Sequence, residues 1–273
     1  MFVLRGCGMR ILITGATDGI GKETARQLSK QGHKVVMVGR DNGKSRSALS
    51  DVQAEAVSSV DLLTADFANM ESVALLADRV NEEYPDLQAL INNAAVIRTE
   101  RITTIDGFEE TFAVNYLSHF LLTYKLLDLL RKNAPGRIVN VSSMVHESGS
   151  IDFEDLQSQR SYNPSRAYAQ SKVAMVLFTR ELHNRYYPQS ISANSLHPGV
   201  IKTKLLHVLF SGGASVEKGA ETSVYLAASP EAESVSGKYF VNKIPAYSRF
   251  LEEPDHTARR LWELSENLLV RFL

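Results

Sequence analysis

The sequence predicts an α/β fold: a doubly wound parallel β-sheet with helices on both faces, in a single domain. Three observations carry this prediction. Strand-like and helix-like segments alternate along the chain, the strand-like runs are almost continuously apolar, and a glycine-rich turn joins the first run to the first helix. Apolar runs of that kind belong to strands buried on both faces, the condition of a parallel sheet covered by crossover helices.

The elements follow in order. Residues 9–14 form a short apolar run, and residues 19–31 read as a helix with Ile20, Thr24 and Leu28 at helical spacing. Residues 34–38 and 60–65 are the second and third strands. Residues 70–84 carry helical periodicity that Pro85 stops, and 87–91 is the fourth strand. A long helical pattern runs over 106–132, ending at Asn133-Ala134-Pro135-Gly136, and 137–141 is the fifth strand. Residues 165–187 form a long helix stopped by Pro188, and the sixth strand, 190–196, ends at His197-Pro198-Gly199. Residues 216–228 are helical, 238–241 is the last strand and 254–269 a terminal helix. Residues 42–58, 146–164 and 201–215 carry the weakest patterns and read as long loops, which in compact domains are often functional. The expected division is a domain over 9–245, with a substrate loop at about 200–215, and a C-terminal helical appendage over 246–273.

Bulk composition excludes several function classes. The 273 residues, 44% of them hydrophobic, suffice for a substantial core. The 30 Lys and Arg nearly cancel the 31 Asp and Glu, so no basic excess points to nucleic acid or an anionic membrane. Cys7 is the only cysteine, which precludes an intrachain disulfide and fits a reducing compartment. No run reaches the roughly 18 uncharged apolar residues of a membrane span. The nearest, 116–130, is interrupted by His119, Lys125 and Asp128 and reads as a buried helix. Residues 1–8 are too short in apolar sequence for a signal peptide, and Met9, where strand-like sequence begins, is a candidate start. A cytoplasmic protein is expected.

The turn Thr14-Gly15-Ala16-Thr17-Asp18-Gly19-Ile20-Gly21 follows a strand and opens a helix. Glycines let the backbone approach a pyrophosphate, and the helix N-terminus favours its negative charge, so the context suits a Rossmann-type dinucleotide site. The spacing is Gly-x3-Gly-x-Gly, which by itself is also that of an ordinary strand–helix turn. Downstream, Tyr168-Ala169-Gln170-Ser171-Lys172 places a tyrosine and a lysine four residues apart, on one helix face. A free phenol, with a pKa near ~10, is a poor acid–base catalyst at neutral pH. A neighbouring ammonium favours the phenolate and lowers that value. A core tyrosine is the competing reading of Tyr168, weakened by Lys172, because lysine is rarely buried unpaired. His146, His183, His197 and His207 lack metal-ligand spacing and read as loop or surface histidines; no metal site is expected.

Taken in order, the glycine turn, Asp66, Asn92-Asn93-Ala94, Asn115, Ser143, Tyr168-x3-Lys172 and Pro198-Gly199 resemble a classical short-chain dehydrogenase/reductase over roughly residues 9–241. Within that family the chain is most similar to the retinol dehydrogenase-like branch. The similarity rests on Gly21-Lys22-Glu23-Thr24-Ala25, on residues 137–143, on the long insert between Ser143 and Tyr168, and on Arg259-Arg260-Leu261-Trp262-Glu263. The resemblance implies hydride transfer between a nicotinamide and a carbonyl carbon. Tyr168 would be the acid, Lys172 would lower its pKa and bind the nicotinamide ribose, and Ser143 would hold the substrate oxygen. Asn115 would kink its helix and support a water in the proton relay; a solvent-facing helix asparagine is its plain alternative. Ser142 would satisfy backbone groups at the strand end.

The implied cofactor contacts are Gly15, Thr17, Asp18, Gly19, Ile20 and Gly21 in the turn, Asp66 and Phe67 at the adenine, Asn93 and Ala94 at the ribose, and Ile201 and Thr203 after Pro198-Gly199, together with Tyr168 and Lys172. Arg40, which follows Gly39 where an acidic residue would select NAD, can pair a 2′-phosphate bidentately. NADP(H) is therefore expected over NAD(H), with Lys44 and Arg46 adding charge and Asp18 the contrary sign. Ala95 departs from the glycine usual after Asn-Asn-Ala. No N-terminal anchor of the kind common among retinol dehydrogenases is expected, which argues against copying their substrate. The segment 200–213, with Leu205, Leu206, Val208, Leu209 and Phe210, reads either as an apolar substrate lid or as an amphipathic helix packed on the body. A lipophilic carbonyl or alcohol is the expected small-molecule partner, with homodimers or homotetramers formed through the long helices. The alternatives are a non-catalytic NADP-binding sensor, which would usually have lost the tyrosine or lysine, and a sugar epimerase or dehydratase, which would need a larger substrate domain.

Overall fold

The structure, a computed structural model, describes residues 8–202, 213–252 and 256–273. The chain runs β1 (Arg10–Thr14), α1 (Gly19–Lys30), β2 (Lys34–Gly39), α2 (Gly43–Gln53), β3 (Val60–Thr64), α3 (Met70–Glu83) and β4 (Leu87–Asn92). A short α4 (Glu110–Phe112), a π-helical turn (Ala113–Leu117) and α5 (Ser118–Lys132) form one continuous helix. After it come β5 (Gly136–Val141), a 3-10 turn (Met144–Ser148), α6 (Pro164–Tyr186), β6 (Ile191–His197), α7 (Val216–Ala228), β7 (Tyr239–Val241), β8 (Ile244–Ala246), α8 (Arg249–Glu252) and α9 (His256–Leu269).

Among the described residues, eight strands form one sheet in the order β3-β2-β1-β4-β5-β6-β7-β8. Every pairing is parallel except the last, where β8 returns antiparallel to β7. Alternating side chains supply the two faces. Ile11 and Ile13 of β1 pack with Leu28, Val52 and Val224 beneath α1, α2 and α7, whereas Leu12 joins Leu90, Phe120 and Val176 beneath α3, α5 and α6. The strand order reverses at the β1–β4 pair, so the strand ends part there and leave the crevice where such sheets bind ligands.

Two expectations need correction. The segment 42–58 holds α2, which starts where the Asn42 side chain accepts from the Ser45 amide at 3.0 Å. Its buried face is Ser45, Ala48 and Val52, with too few large apolar residues to show in the sequence. The expected parallel sheet is present, and β8 adds one short antiparallel strand at its edge. The division at 245/246 is also displaced: β8 crosses it, and α9 is built into the core rather than appended to it. Trp262 is 2% exposed, with its ring centroid 4.8 Å from that of Phe120 on α5 and 5.8 Å from that of Phe178 on α6. The Arg185 guanidinium lies 4.6 Å from the Trp262 ring, and Ser265 hydrogen-bonds the Tyr116 hydroxyl at 2.8 Å. Trp262→Ala is expected to cost about 3–5 kcal/mol, as deletion of a buried tryptophan does. Thermal unfolding followed by circular dichroism checks this, and a change below about 1 kcal/mol would restore the appendage.

Candidate active site

The glycine turn takes the shape its residues permit. Gly15 and Gly19 sit at φ of 63° and 48°, a region costly for any residue with a Cβ. A Cβ on Gly21 would stand 2.3 Å from the Gly15 carbonyl oxygen. Asp18 caps α1, accepting from the Gly19 amide at 2.9 Å. Beneath the turn, Thr14 at the end of β1 locks onto the end of β4. Its hydroxyl accepts from the amides of Asn93 at 2.8 Å and Ala94 at 2.9 Å, and the Asn93 side chain donates to the Thr14 carbonyl at 2.8 Å.

A cleft of about 1260 Å3 opens above these strand ends. It is lined by Gly15, Thr17, Asp18, Gly19, Ile20 and Gly21, by Arg40 and Lys44 after β2, by Asp66 and Phe67 after β3, and by Asn93, Ala94 and Ala95 after β4. Val96, Ile97, Arg98, Glu110 and Val114 continue the wall. The residues fit a dinucleotide: a tight helix N-terminus faces the cleft, and side chains at Gly15 or Gly21 would fill the approach. Lys44 is paired with the Asp18 carboxylate, which offsets the negative charge expected to disfavour a 2′-phosphate. Arg46 turns to Asp41 at 2.9 Å instead of the cleft. Ile201 is 2% exposed, and a methyl group on Gly219 would meet it and Ile20; its side chain is core and does not line the cleft. Thr203 and the apolar residues 205–210 lie outside the described residues.

Ser143, Tyr168, Lys172 and Asn115 come together from three elements. Ser143 stands just beyond β5, where its hydroxyl caps the following 3-10 turn and lies close enough to the Tyr168 phenol to influence its titration. Tyr168 and Lys172 share one face of α6, with the Lys172 nitrogen 5.5 Å from the Tyr168 ring centre. Lys172 also donates to the Val141 carbonyl at 2.9 Å. Ser142 donates to the Lys172 carbonyl at 2.8 Å, fastening β5 to α6. Asn115 occupies the middle of the π turn, and such turns inside helices often mark functional sites. Its side chain accepts from the Val96 amide at 2.7 Å and donates to the Val96 carbonyl and the Ser171 hydroxyl, both at 3.0 Å. It faces the interior, not solvent.

Burial governs the titration here. Desolvation pushes the Tyr168 phenol above its ordinary range, against the opposing Ser143 hydrogen bond, and pushes Lys172 down to about 7. The expected lowering of Tyr168 by Lys172 is therefore reversed in the free protein. The phenol keeps its proton at neutral pH, the form a proton donor needs, and the lysine is only partly charged.

Three histidines differ from their sequence reading: His197 is buried, as the last residue of β6, and His146 and His119 are buried beside the site. His146 is fully buried, not a loop or surface residue, and lies 2.6 Å from the Ser143 carbonyl and 2.8 Å from the Ser248 hydroxyl, steadying the backbone at Ser143. His119, which the sequence offers only as an interruption of an apolar run, lies between the Asn115 carbonyl and the Thr14 hydroxyl. Its position four residues after Asn115 was the available signal. Among the described residues no three His, Cys, Asp or Glu side chains gather to hold a metal, and no helix is long and apolar enough to cross a membrane.

Comparison with known proteins agrees with this architecture. The family model described as short chain dehydrogenase matches residues 9–212. Mouse retinol dehydrogenase 13 is 42% identical over 96% of this chain and 84% of its own, and mouse retinol dehydrogenase 12 is 41% identical over 96% and 86%. A solved structure of an uncharacterised protein from Mycobacterium paratuberculosis superposes with a TM-score of 0.79 at 32% identity, covering 95% of this chain and 92% of that one. The chain thus belongs to the short-chain dehydrogenase family, as a retinol dehydrogenase-like oxidoreductase that acts on CH–OH and C=O groups in a fold that binds NAD or NADP.

Proposed function

We propose that this protein interconverts a lipophilic carbonyl compound and its alcohol with NADP(H) as cofactor. The observation that carries the reading is Tyr168 beside Ser143 and Lys172, joined to the dinucleotide cleft by Asn115, whose side chain bonds Val96 on the cleft wall and Ser171 on α6. When bound, the reduced nicotinamide supplies the hydride. The protein's part is the oxygen: Ser143 holds it by a hydrogen bond, and Tyr168 delivers the proton that turns it into a hydroxyl. Lys172 eases the loss of that proton whenever it is charged. Asn115 holds the 93–98 loop against α6 and keeps the cofactor wall and the acid in register.

Support for NADP comes from Arg40 on the cleft wall and from the Lys44–Asp18 pair beside it. Support for a lipophilic substrate comes from Val96, Ile97 and Val114 at the inner wall, and from the relatives named as retinol dehydrogenases. Arg40→Ala is expected to weaken NADPH binding by about tenfold to a hundredfold, as loss of a charge-assisted contact does, and NADH binding by less than about threefold. Fluorescence titration with each nucleotide measures this. Equal losses would remove the 2′-phosphate assignment.

A further inference from the structure

His119 is 1% exposed on α5, and both its ring nitrogens have partners. Nδ1 lies 3.2 Å from the Asn115 carbonyl oxygen and Nε2 lies 2.9 Å from the Thr14 hydroxyl. A carbonyl can only accept, so Nδ1 must carry a proton. The Thr14 oxygen already accepts from the Asn93 and Ala94 amides, which occupy both its lone pairs. Its one proton is left to donate, and Nε2 at 2.9 Å is nearer than the alternative acceptor, the Ile91 carbonyl at 3.4 Å. The imidazole is therefore neutral, with one tautomer permitted. Its surroundings agree: burial and the nearby Lys172 ammonium push its pKa down to about 3, and the Phe67 ring packs 5.4 Å away, centre to centre.

We propose that His119 is a positioning residue of the hydride-transfer site: a neutral imidazole in one tautomer, it ties the Asn115 carbonyl on the π turn to the Thr14 hydroxyl beneath the glycine turn. The two halves of the site otherwise belong to different layers. Thr14, Asn93 and Ala94 build the nucleotide edge at the sheet, and Asn115 belongs to the helix layer that also holds Tyr168 and Lys172. His119 donates to the Asn115 carbonyl of the π turn from four residues further along the same helix. Removing the ring frees the Asn115 carbonyl to turn but leaves Thr14 able to donate to Ile91, so the nucleotide edge survives while the acid side loses its reference. The inference rests on the reading of Tyr168 as the acid.

Two measurements test it. In 15N-labelled protein, long-range 1H–15N spectra, assigned by their loss in His119→Gln, should show a neutral Nδ1–H imidazole from about pH 5 to about pH 8, throughout the range where free histidine titrates. An imidazolium at the acid end, or the Nε2–H tautomer, would overturn the proposal. This measurement needs no substrate. With NADPH and decanal as probes, His119→Leu should lower kcat by about 10- to 100-fold, as slight misplacement of reacting groups does. NADPH affinity and the aldehyde KM should stay within about threefold of the parent protein. His119→Gln, whose carboxamide can both donate and accept, should recover to within about fivefold of it. A normal kcat in His119→Leu, or equal loss in both variants together with weakened NADPH binding and a lowered Tm, would reduce His119 to a packing residue. Tyr168→Phe, assayed beside them, separates the failures. If it stays active, the acid assignment falls; if it is inactive while His119→Leu is normal, only the role of His119 falls.

Discussion

Tyr168→Phe is expected to lower kcat by about 10²- to 10⁴-fold, the range lost when a positioned general acid is removed, while NADPH binds almost as before. The substitution deletes one oxygen from a residue that is 7% exposed and keeps the ring that packs beside Lys172. What it removes is the phenol hydroxyl beside Ser143. The pH profile of the parent protein carries a second expectation. Burial holds Lys172 near 7, below its ordinary value, so the lysine is charged below about pH 7 and neutral above it. A charged Lys172 stabilises the phenolate left after proton delivery. Carbonyl reduction should therefore slow as pH rises through about 7. NADPH consumption, measured across pH for both proteins, checks both expectations; substantial turnover by Tyr168→Phe would remove the tyrosine as the acid.

Gly21→Ala should be nearly as damaging, by a different route. The new methyl group would lie 2.3 Å from the Gly15 carbonyl oxygen and 2.5 Å from the Asn93 side-chain nitrogen. Neither neighbour is free to yield. Gly15 is backbone at a φ that few residues tolerate, and the Asn93 nitrogen is committed to the Thr14 carbonyl. Overpacking of this kind costs about 1–3 kcal/mol. Here the strain falls on the turn that must approach the pyrophosphate. NADPH affinity is expected to fall by about tenfold to a hundredfold, with the circular dichroism of the folded protein retained. Affinity within about twofold of the parent protein would show that the turn does not contact the nucleotide.

The contrast between these sites and the residues that escaped the sequence is physical. Apolar runs and turn glycines report on local backbone needs, so the alternating elements, the glycine turn and the Tyr168–Lys172 spacing were all legible. α2 was not, because its buried face is made of Ser45, Ala48 and Val52 and resembles a polar loop. β8 spans only Ile244–Ala246 and contains a proline, and its pairing depends on β7 lying at the sheet edge. Trp262 carried a signal, since Leu261, Trp262, Ser265 and Leu269 share one helix face, but what they cover is set by tertiary packing. The spacing of Tyr168 and Lys172 placed the two groups together and still misjudged the titration, because burial outweighs their mutual effect. His119 was hidden for the same reason. A buried histidine in an apolar helix is recognised only when both its hydrogen-bond partners are known, and one of them lies 105 positions away in sequence.

The cleft and the Ser143–Tyr168–Lys172 group are expected to work together on a carbonyl. The most direct test is to mix the purified protein with NADPH and a panel of lipophilic aldehydes and ketones, follow the nicotinamide absorbance, and identify the product. NADPH should be consumed in step with formation of the corresponding alcohol, and Tyr168→Phe should abolish this while still binding NADPH. Tight NADPH binding with no consumption across the whole panel would contradict it and favour a non-catalytic nucleotide sensor.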